Sequence, residues 1–374
     1  MKSIYKSIGE LVERIDQRNT DGTVTNLIGV SIDKKFINSV ANVIGTDLTK
    51  YKVIEKYDFA VSLMQVSRDE KIPVACQKEY DKAIMSPAYP IFRVKDTSVV
   101  LPEYLEMWFM RPEFDREASF IAVGGVRGSM PWEDFANMKL PVPSIEEQRE
   151  IVNSYKTLTD RIALKKQIND NLEATAQAYF DSLFFGNEDT DCTLADIALV
   201  NPVRQLSKGV EARCFDMATL PTNGCIPTGD TIKPYNGGVR FINGDTLIAR
   251  ITPCLENGKA AYINILKDNE VAFGSTEYIV FASKDNIPSC FYYFLIRNSK
   301  FVTFALQFMN GSSGRQRVSG EELASFPLAT PLEPDLVAFD RVGSLVLEQM
   351  KSLTAEIELL KQLQEAITAT LSSR

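Results

Sequence analysis

No histidine occurs in the 374 residues of this chain. That absence removes Ser-His-Asp and Cys-His catalysis and every His-ligated metal site. Cysteine is sparse and scattered. Cys76, Cys192, Cys214, Cys225, Cys254 and Cys290 include no CxxC pair, which reads as separate intracellular thiols, not a disulfide framework or a zinc site. No apolar run reaches the roughly 20 residues that a membrane-spanning helix needs. The opening MKSIYKSIGELVERID lacks the apolar segment of a secretory signal, and a cytoplasmic location is expected. Phosphate-cradling motifs are missing too, with no GxxxxGK(S/T) and no strand-linked GxGxxG. The carboxylates in EKYD and KEYD read as surface residues beside strands. Asn201-Pro202 lacks the proline and aromatic that would follow it in an amino-methyltransferase motif. No catalytic centre and no bound cofactor are expected.

Excess positive charge is also lacking. The net charge is −8, whereas nucleic-acid-binding domains are usually basic. Its distribution softens that objection. Residues 144–188 carry 5 basic against 8 acidic side chains and residues 332–374 carry 4 against 7, while 1–143 (19 against 20) and 189–331 (13 against 14) are near neutral. Either larger segment has room for a local basic patch.

What is present is repetition. A shift of 188 residues places MPWEDFANMKLPVP (130–143) on VSGEELASFPLATP (318–331). At neighbouring offsets YDFAVSL (57–63) faces GDTLIARI (244–251), SPAYPIF (86–92) faces STEYIVF (275–281), and LPEYLEMWFMR (101–111) faces IPSCFYYFLIR (287–297). Matches in one consistent order signal an internal duplication. Each half reads as a short helix or turn, then β-rich segments broken by Gly, Asn and Asp, then aromatic-rich helices, a glycine-containing loop and a final strand. The fold class expected is α+β, with two similar globular domains. Interspersed strands argue against a doubly wound parallel sheet.

The segments that follow each half are different. Positions 151, 155, 158, 162, 165, 169, 172, 176, 179 and 183 step by four and three, and shifting the later ones by 188 gives Val346, Met350, Leu353, Ile357, Leu360, Gln364, Ile367 and Leu371. This is a heptad seam with polar intrusions at Lys165, Asn169 and Gln364. Two long helices in one register are expected to pack together as an antiparallel coiled coil. In LPVPSIEEQREIV, Pro141 and Pro143 discourage helix before Ser144, which is placed to cap with Glu147 three residues on. The second helix is expected to start at Thr330 and Pro331. The domains expected are 1–143, a helix and linker at 144–188, 189–331, and a second helix at 332–374.

Candidate binding residues lie in the loops before the final strands. Arg127 and Ser129 sit in GGVRGSM, and Arg315, Gln316 and Arg317 in GSSGRQRV. Glycine permits close backbone approach, while Arg and Gln read base edges or hold phosphates. Asn257 and Lys259 in ENGK, and Lys34 and Lys35 in the first half, offer similar groups.

With these features assembled, the sequence resembles the specificity subunit of type I restriction–modification systems. The carrying residues are Gly125, Arg127, Met130, the strand KLPVP (139–143), Glu147-Gln148 and Ile151-Val152, with YKVIEKYDFAVS, SPAYPIFRV, GDTLIAR and GRQRVSGEEL. The resemblance implies two target-recognition domains, each reading half of a bipartite, asymmetric site on double-stranded DNA. It implies helices that act as a spacer and dock two methyltransferase subunits, with Glu147, Gln148, Ile151 and Tyr155 as docking candidates. Restriction subunits join such assemblies. S-adenosylmethionine, ATP and magnesium would serve those partners and none would serve this chain, which would have no catalysis of its own. The second copy departs from the pattern, with Pro334-Asp335-Leu336 where the first has Glu146-Glu147-Gln148. A non-DNA scaffold with tandem partner-binding domains is the competing reading. The acidic net charge and the aromatic EYLEMWF and FYYFLI stretches favour it.

Overall fold

The computed structural model describes residues 4–39, 46–125, 128–186, 190–312 and 314–371. The chain divides into two compact units, Met1–Asp160 with Leu360–Arg374, and Arg161–Leu359.

The first unit opens with β1 (Ile4–Ser7), α1 (Ile8–Leu11) and β2 (Val12–Ile15). Ser7 ends the strand and starts the helix. Its Oγ accepts from the Glu10 amide at 3.3 Å, and the Glu10 carboxylate accepts from the Ser7 amide at 2.7 Å. The reciprocal cap satisfies donors that a one-turn helix leaves unpaired. There follow β3 (Ile28–Val30), β4 (Phe36–Asn38), β5 (Lys52–Glu55), β6 (Phe59–Val61), α2 (Val66–Asp69), β7 (Val74–Cys76), β8 (Lys82–Met85) and β9 (Ile91–Val94). Helices α3 (Pro102–Phe109), α4 (Pro112–Ile121) and α5 (Trp132–Asn137) lead to β10 (Lys139–Val142), which pairs antiparallel with β1. The main sheet runs β2-β9-β6-β7, every neighbour antiparallel. Phe59 of the central strand stacks on Phe92 at 5.2 Å and meets the edge of Phe109 at 5.8 Å. Helix α3 buries Tyr104, Leu105, Met107, Trp108 and Phe109 in this core. The aromatics that had suggested a partner-binding face are therefore interior, each burial being worth about 1.5–3 kcal/mol.

The second unit repeats the plan. Its elements are β11 (Cys192–Thr193), α7 (Leu194–Ile197), β12 (Ala198–Val200), β13 (Glu211–Phe215), β14 (Thr231–Pro234), β15 (Val239–Phe241), β16 (Thr246–Ala249), β17 (Ala260–Tyr262), β18 (Ala272–Gly274) and β19 (Tyr278–Ser283). Then come α8 (Ser289–Arg297), α9 (Ser299–Gln307), α10 (Gly320–Ala324) and β20 (Pro327–Leu328), which pairs with β11 as β10 does with β1. The main sheet is β12-β19-β16-β17, strand for strand the order of the first unit. A second sheet, β14-β13-β18-β15, has one parallel pair, β13 with β18. The first unit keeps the same arrangement in shorter pieces: β3 pairs β4, β5 pairs β8, and a parallel bridge joins Leu27 to Ile84. In α8 every residue from Cys290 to Ile296 is buried, so FYYFLI is core as well.

The long helices are α6 (Ile145–Phe184) and α11 (Glu333–Thr370). Ser144 accepts from the Glu147 amide at 3.3 Å, which caps α6. The second helix starts at Glu333, two residues later than Pro331: its first turn hangs on the Leu332 carbonyl, which accepts from the Leu336 amide at 3.0 Å. In the first unit Ile151 and Tyr155 pack in one cluster with Ile367 and Leu371, and Gln364 donates to Thr159 at 2.7 Å. In the second, Tyr179 lies against Phe339, Asn169 donates to Thr354 and Lys165 pairs with Glu356. Within each unit, early residues of one helix meet late residues of the other, as antiparallel packing requires. The polar intrusions find partners across the seam, so the heptad tolerates them.

Candidate nucleic-acid interface

In the second unit, a strap at 310–318 is laced onto the chain that leaves β16. Asn310 and Arg317 exchange backbone hydrogen bonds at 2.9 and 2.8 Å. The Thr252 amide donates to the Gln316 carbonyl at 3.0 Å, and Thr252 Oγ1 accepts from the Gln316 amide at 3.1 Å. The Val318 amide donates to the Arg250 carbonyl at 3.1 Å, and the Arg250 amide to the Glu277 carbonyl at 3.0 Å.

Side chains tighten the same place. Glu277 Oε1 accepts from Arg317 Nη2 at 2.7 Å and from Nε at 2.9 Å, and Glu277 Oε2 accepts from Arg250 Nε at 3.1 Å. Hydrogen bonds from Arg317 first, then from Arg250, hold the Glu277 carboxyl below its ordinary range. Arg315 and Asn257 are exposed and Gln316 and Lys259 half-buried. Two of the expected contacts are already committed: the Lys259 ammonium donates to the Met217 carbonyl at 2.6 Å, and Arg317 is held by Glu277. Those two are braces of the loop rather than free cations. Arg250, Glu277 and Thr252 were not among the sequence candidates. A charged residue directly after the buried strand TLIA was the available signal.

The first unit has the counterpart loop at 125–130. A Cβ on Gly125 would lie 2.0 Å from the Ser129 carbonyl oxygen, and Gly128 has φ +73° beside the Ser67 hydroxyl. Only glycine fits such a turn. The Met130 amide donates to the Leu63 carbonyl at 2.9 Å, matching the Val318–Arg250 bond. Ser129 is half-buried; Arg127 lies outside the described residues. On α2, across from Gly128, exposed Arg68 is bonded to Asp69 and Gln65.

Lys35 is exposed, but Lys34 corrects the expectation. It is 7% exposed, with its Nζ 2.8 Å from Asp115 and donating to the Phe109 carbonyl, so it anchors α4 and faces no ligand. Burial lowers its pKa in spite of that partner.

The docking candidates separate in the same way. Gln148 is fully buried: its Oε1 accepts from the Leu101 amide at 2.9 Å, and its Nε2 donates to the Val99 and Pro143 carbonyls at 2.9 and 3.0 Å. Ile151 is buried in the core of the first unit. Both are internal residues, contrary to the expectation of a docking surface. Glu147 and Tyr155 are half-buried, and desolvation raises the Tyr155 phenol pKa. Among the described residues, no His, Cys, Asp and Glu cluster is arranged to hold a metal ion, and no helix is long and apolar enough to cross a membrane.

Two repeated α+β units, each with a glycine-bearing strap at the end of its central strand, define a tandem-domain protein. The family model described as "Type I restriction modification DNA specificity domain" matches residues 32–174 and again 223–369, and the chain belongs to that family. It is 35% identical over 192 residues to the type I restriction enzyme EcoAI specificity subunit of Escherichia coli, an alignment covering 48% of this chain and 32% of that one. It is 25% identical over 185 residues to the HindI specificity subunit of Haemophilus influenzae, covering 48% of this chain and 40% of the relative. The matches thus span only about a third of the curated relatives' length. The fold also matches the crystal structure of a type I restriction-modification system S subunit from M. genitalium, with a TM-score of 0.57, 13% identity and coverage of 99% and 96% of the two chains.

Proposed function

We propose that this chain is the sequence-specific DNA-recognition subunit of a type I restriction–modification assembly. Each unit reads one half of a bipartite, asymmetric site on double-stranded DNA, and the chain directs two methyltransferase subunits and restriction subunits to it. The observation that carries the reading is the duplicated family match laid over a duplicated topology. The chemistry belongs to the partners, which would use S-adenosylmethionine, ATP and magnesium; this chain performs none. Exposed Arg315, Asn257 and Lys35 supply surface contacts, and the glycine straps bring backbone close to the groove. The burial of both aromatic stretches removes the main support for a scaffold without DNA. The site of action is the cytoplasm, where the DNA lies.

Methylation mapping in cells that carry the chain with its methyltransferase tests this. A bipartite adenine-methylated motif that disappears on deletion of the chain is the expected result. An unchanged methylation pattern would refute it.

A further inference from the structure

The geometry points to Arg250 as a base-reading residue of the second unit, addressed to a guanine, with Glu277 as its positioning residue; we propose this on top of the DNA-recognition reading above. The arginine emerges directly after the buried central strand β16, and its backbone is bonded on both sides, to the Glu277 carbonyl and from the Val318 amide. Its Nε is fixed on Glu277 at 3.1 Å, and neither terminal nitrogen has a hydrogen-bond partner among the described residues. About a third of the side chain, 35%, remains accessible. The result is a half-exposed fork of two donors whose direction is set from behind.

A fork of two donors matches the edge that offers two acceptors in the major groove, O6 and N7 of guanine. Adenine pairs its N7 with a donor, cytosine presents a donor, and thymine has a single acceptor beside a methyl. Because Nε is already used, the end-on Nη1/Nη2 approach is the one left. Preorganisation keeps the entropy loss of ordering a long side chain out of the binding step.

Arg317 has the other role. Its Nε and Nη2 are both on Glu277 and its Nη1 is on the Arg315 carbonyl, so it staples the strap and has no fork to offer. Removing Arg250 therefore leaves Glu277 paired, and the strap keeps its shape. The first unit lacks this device: the corresponding positions are Leu63, Ala88 and Ser129. The guanine read by this device is thus expected in the half-site of the second unit.

Selection of bound sequences from a randomised duplex library, with the full chain in complex with its methyltransferase, tests the assignment. The wild type should yield a bipartite motif with a G·C pair in one half. Arg250→Ala and Arg250→Lys should each lower the preference for that guanine by roughly 5- to 150-fold. The other half of the motif and the unfolding midpoint should not change. Glu277→Gln should relax the same position while Arg250 is still present. Retention of the guanine preference by Arg250→Ala would overturn the proposal, and so would equal weakening on all sequences with a shallower salt dependence, which identifies a phosphate contact. A motif without G or C in that half would do so too. Absence of any motif in the wild type would instead remove the DNA-recognition reading itself, because both halves would be lost together.

Discussion

Replacing Gln148 by alanine removes a side chain whose amide ties the start of α6 to the loop before α3. Three backbone groups lose their partner: the Leu101 amide and the carbonyls of Val99 and Pro143. The site is fully buried, so water does not replace the bonds without opening the structure. A buried donor left unpaired costs about 1–3 kcal/mol, and each lost bond about 0.5–1.5 kcal/mol. Together, Gln148→Ala should destabilise the first unit by about 2–6 kcal/mol. For a unit of this size that lowers the melting temperature by roughly 4–24 °C. The second unit explains why it manages with leucine at the matching position. There the corresponding Ile287 amide is already bonded to the Lys284 carbonyl at 3.2 Å, so Leu336 packs with no donor to satisfy. Scanning calorimetry with hydrogen exchange at the Leu101 amide reads the effect, and that amide should lose protection. If melting and exchange are unchanged and methyltransferase binding alone falls, Gln148 faces a partner and the reasoning is refuted.

Other outcomes follow from the same geometry. Lys34→Met leaves the half-buried Asp115 beside the Ile72 amide without its cation and should cost about 2–4 kcal/mol in a urea titration; a midpoint within error of the parent would show that the pair contributes nothing. Arg315→Ala should weaken binding at the half-site read by the second unit while the other half-site keeps its preference, and equal loss at both halves would contradict unit-by-unit reading. The Glu277 carboxyl sits below its ordinary value of 4.5, so its contribution to the strap is present above about pH 4.5 and is lost as pH falls through the lowered folded value. Amide exchange at Asn310 and Arg317, corrected for the intrinsic pH effect, should accelerate only in that acid range. Flat protection down to pH 3, well below the ordinary carboxyl range, would show that Arg317 and Glu277 do not hold the loop together.

The duplication, the α+β class and the two heptad helices were legible because each is written in local pattern. A period of 3.5, a proline pair before Ser144 and a series of matches in one order at nearly constant offset need no knowledge of contacts. The start of the second helix was misplaced because two prolines, Pro331 and Pro334, both fit a first turn, and the structure uses the later one, with the Leu332 carbonyl as the first acceptor. Side-chain roles were harder to read. Lys34 and Lys35 are adjacent and chemically identical, yet one is buried on Asp115 and the other faces solvent. Gln148 looked like a surface helix residue and is an internal tie.

Sequence alone determined that the chain is duplicated, that histidine-based chemistries are excluded and that two long heptad helices follow the repeats, since those depend on composition, periodicity and repetition. Tertiary structure alone decided which charges are available. Whether an arginine reads a ligand or braces a loop depends on the acceptors within about 3 Å of its nitrogens. For Arg250 and Arg317, 67 residues apart in the chain, both meet at Glu277, and only the fold brings those three together.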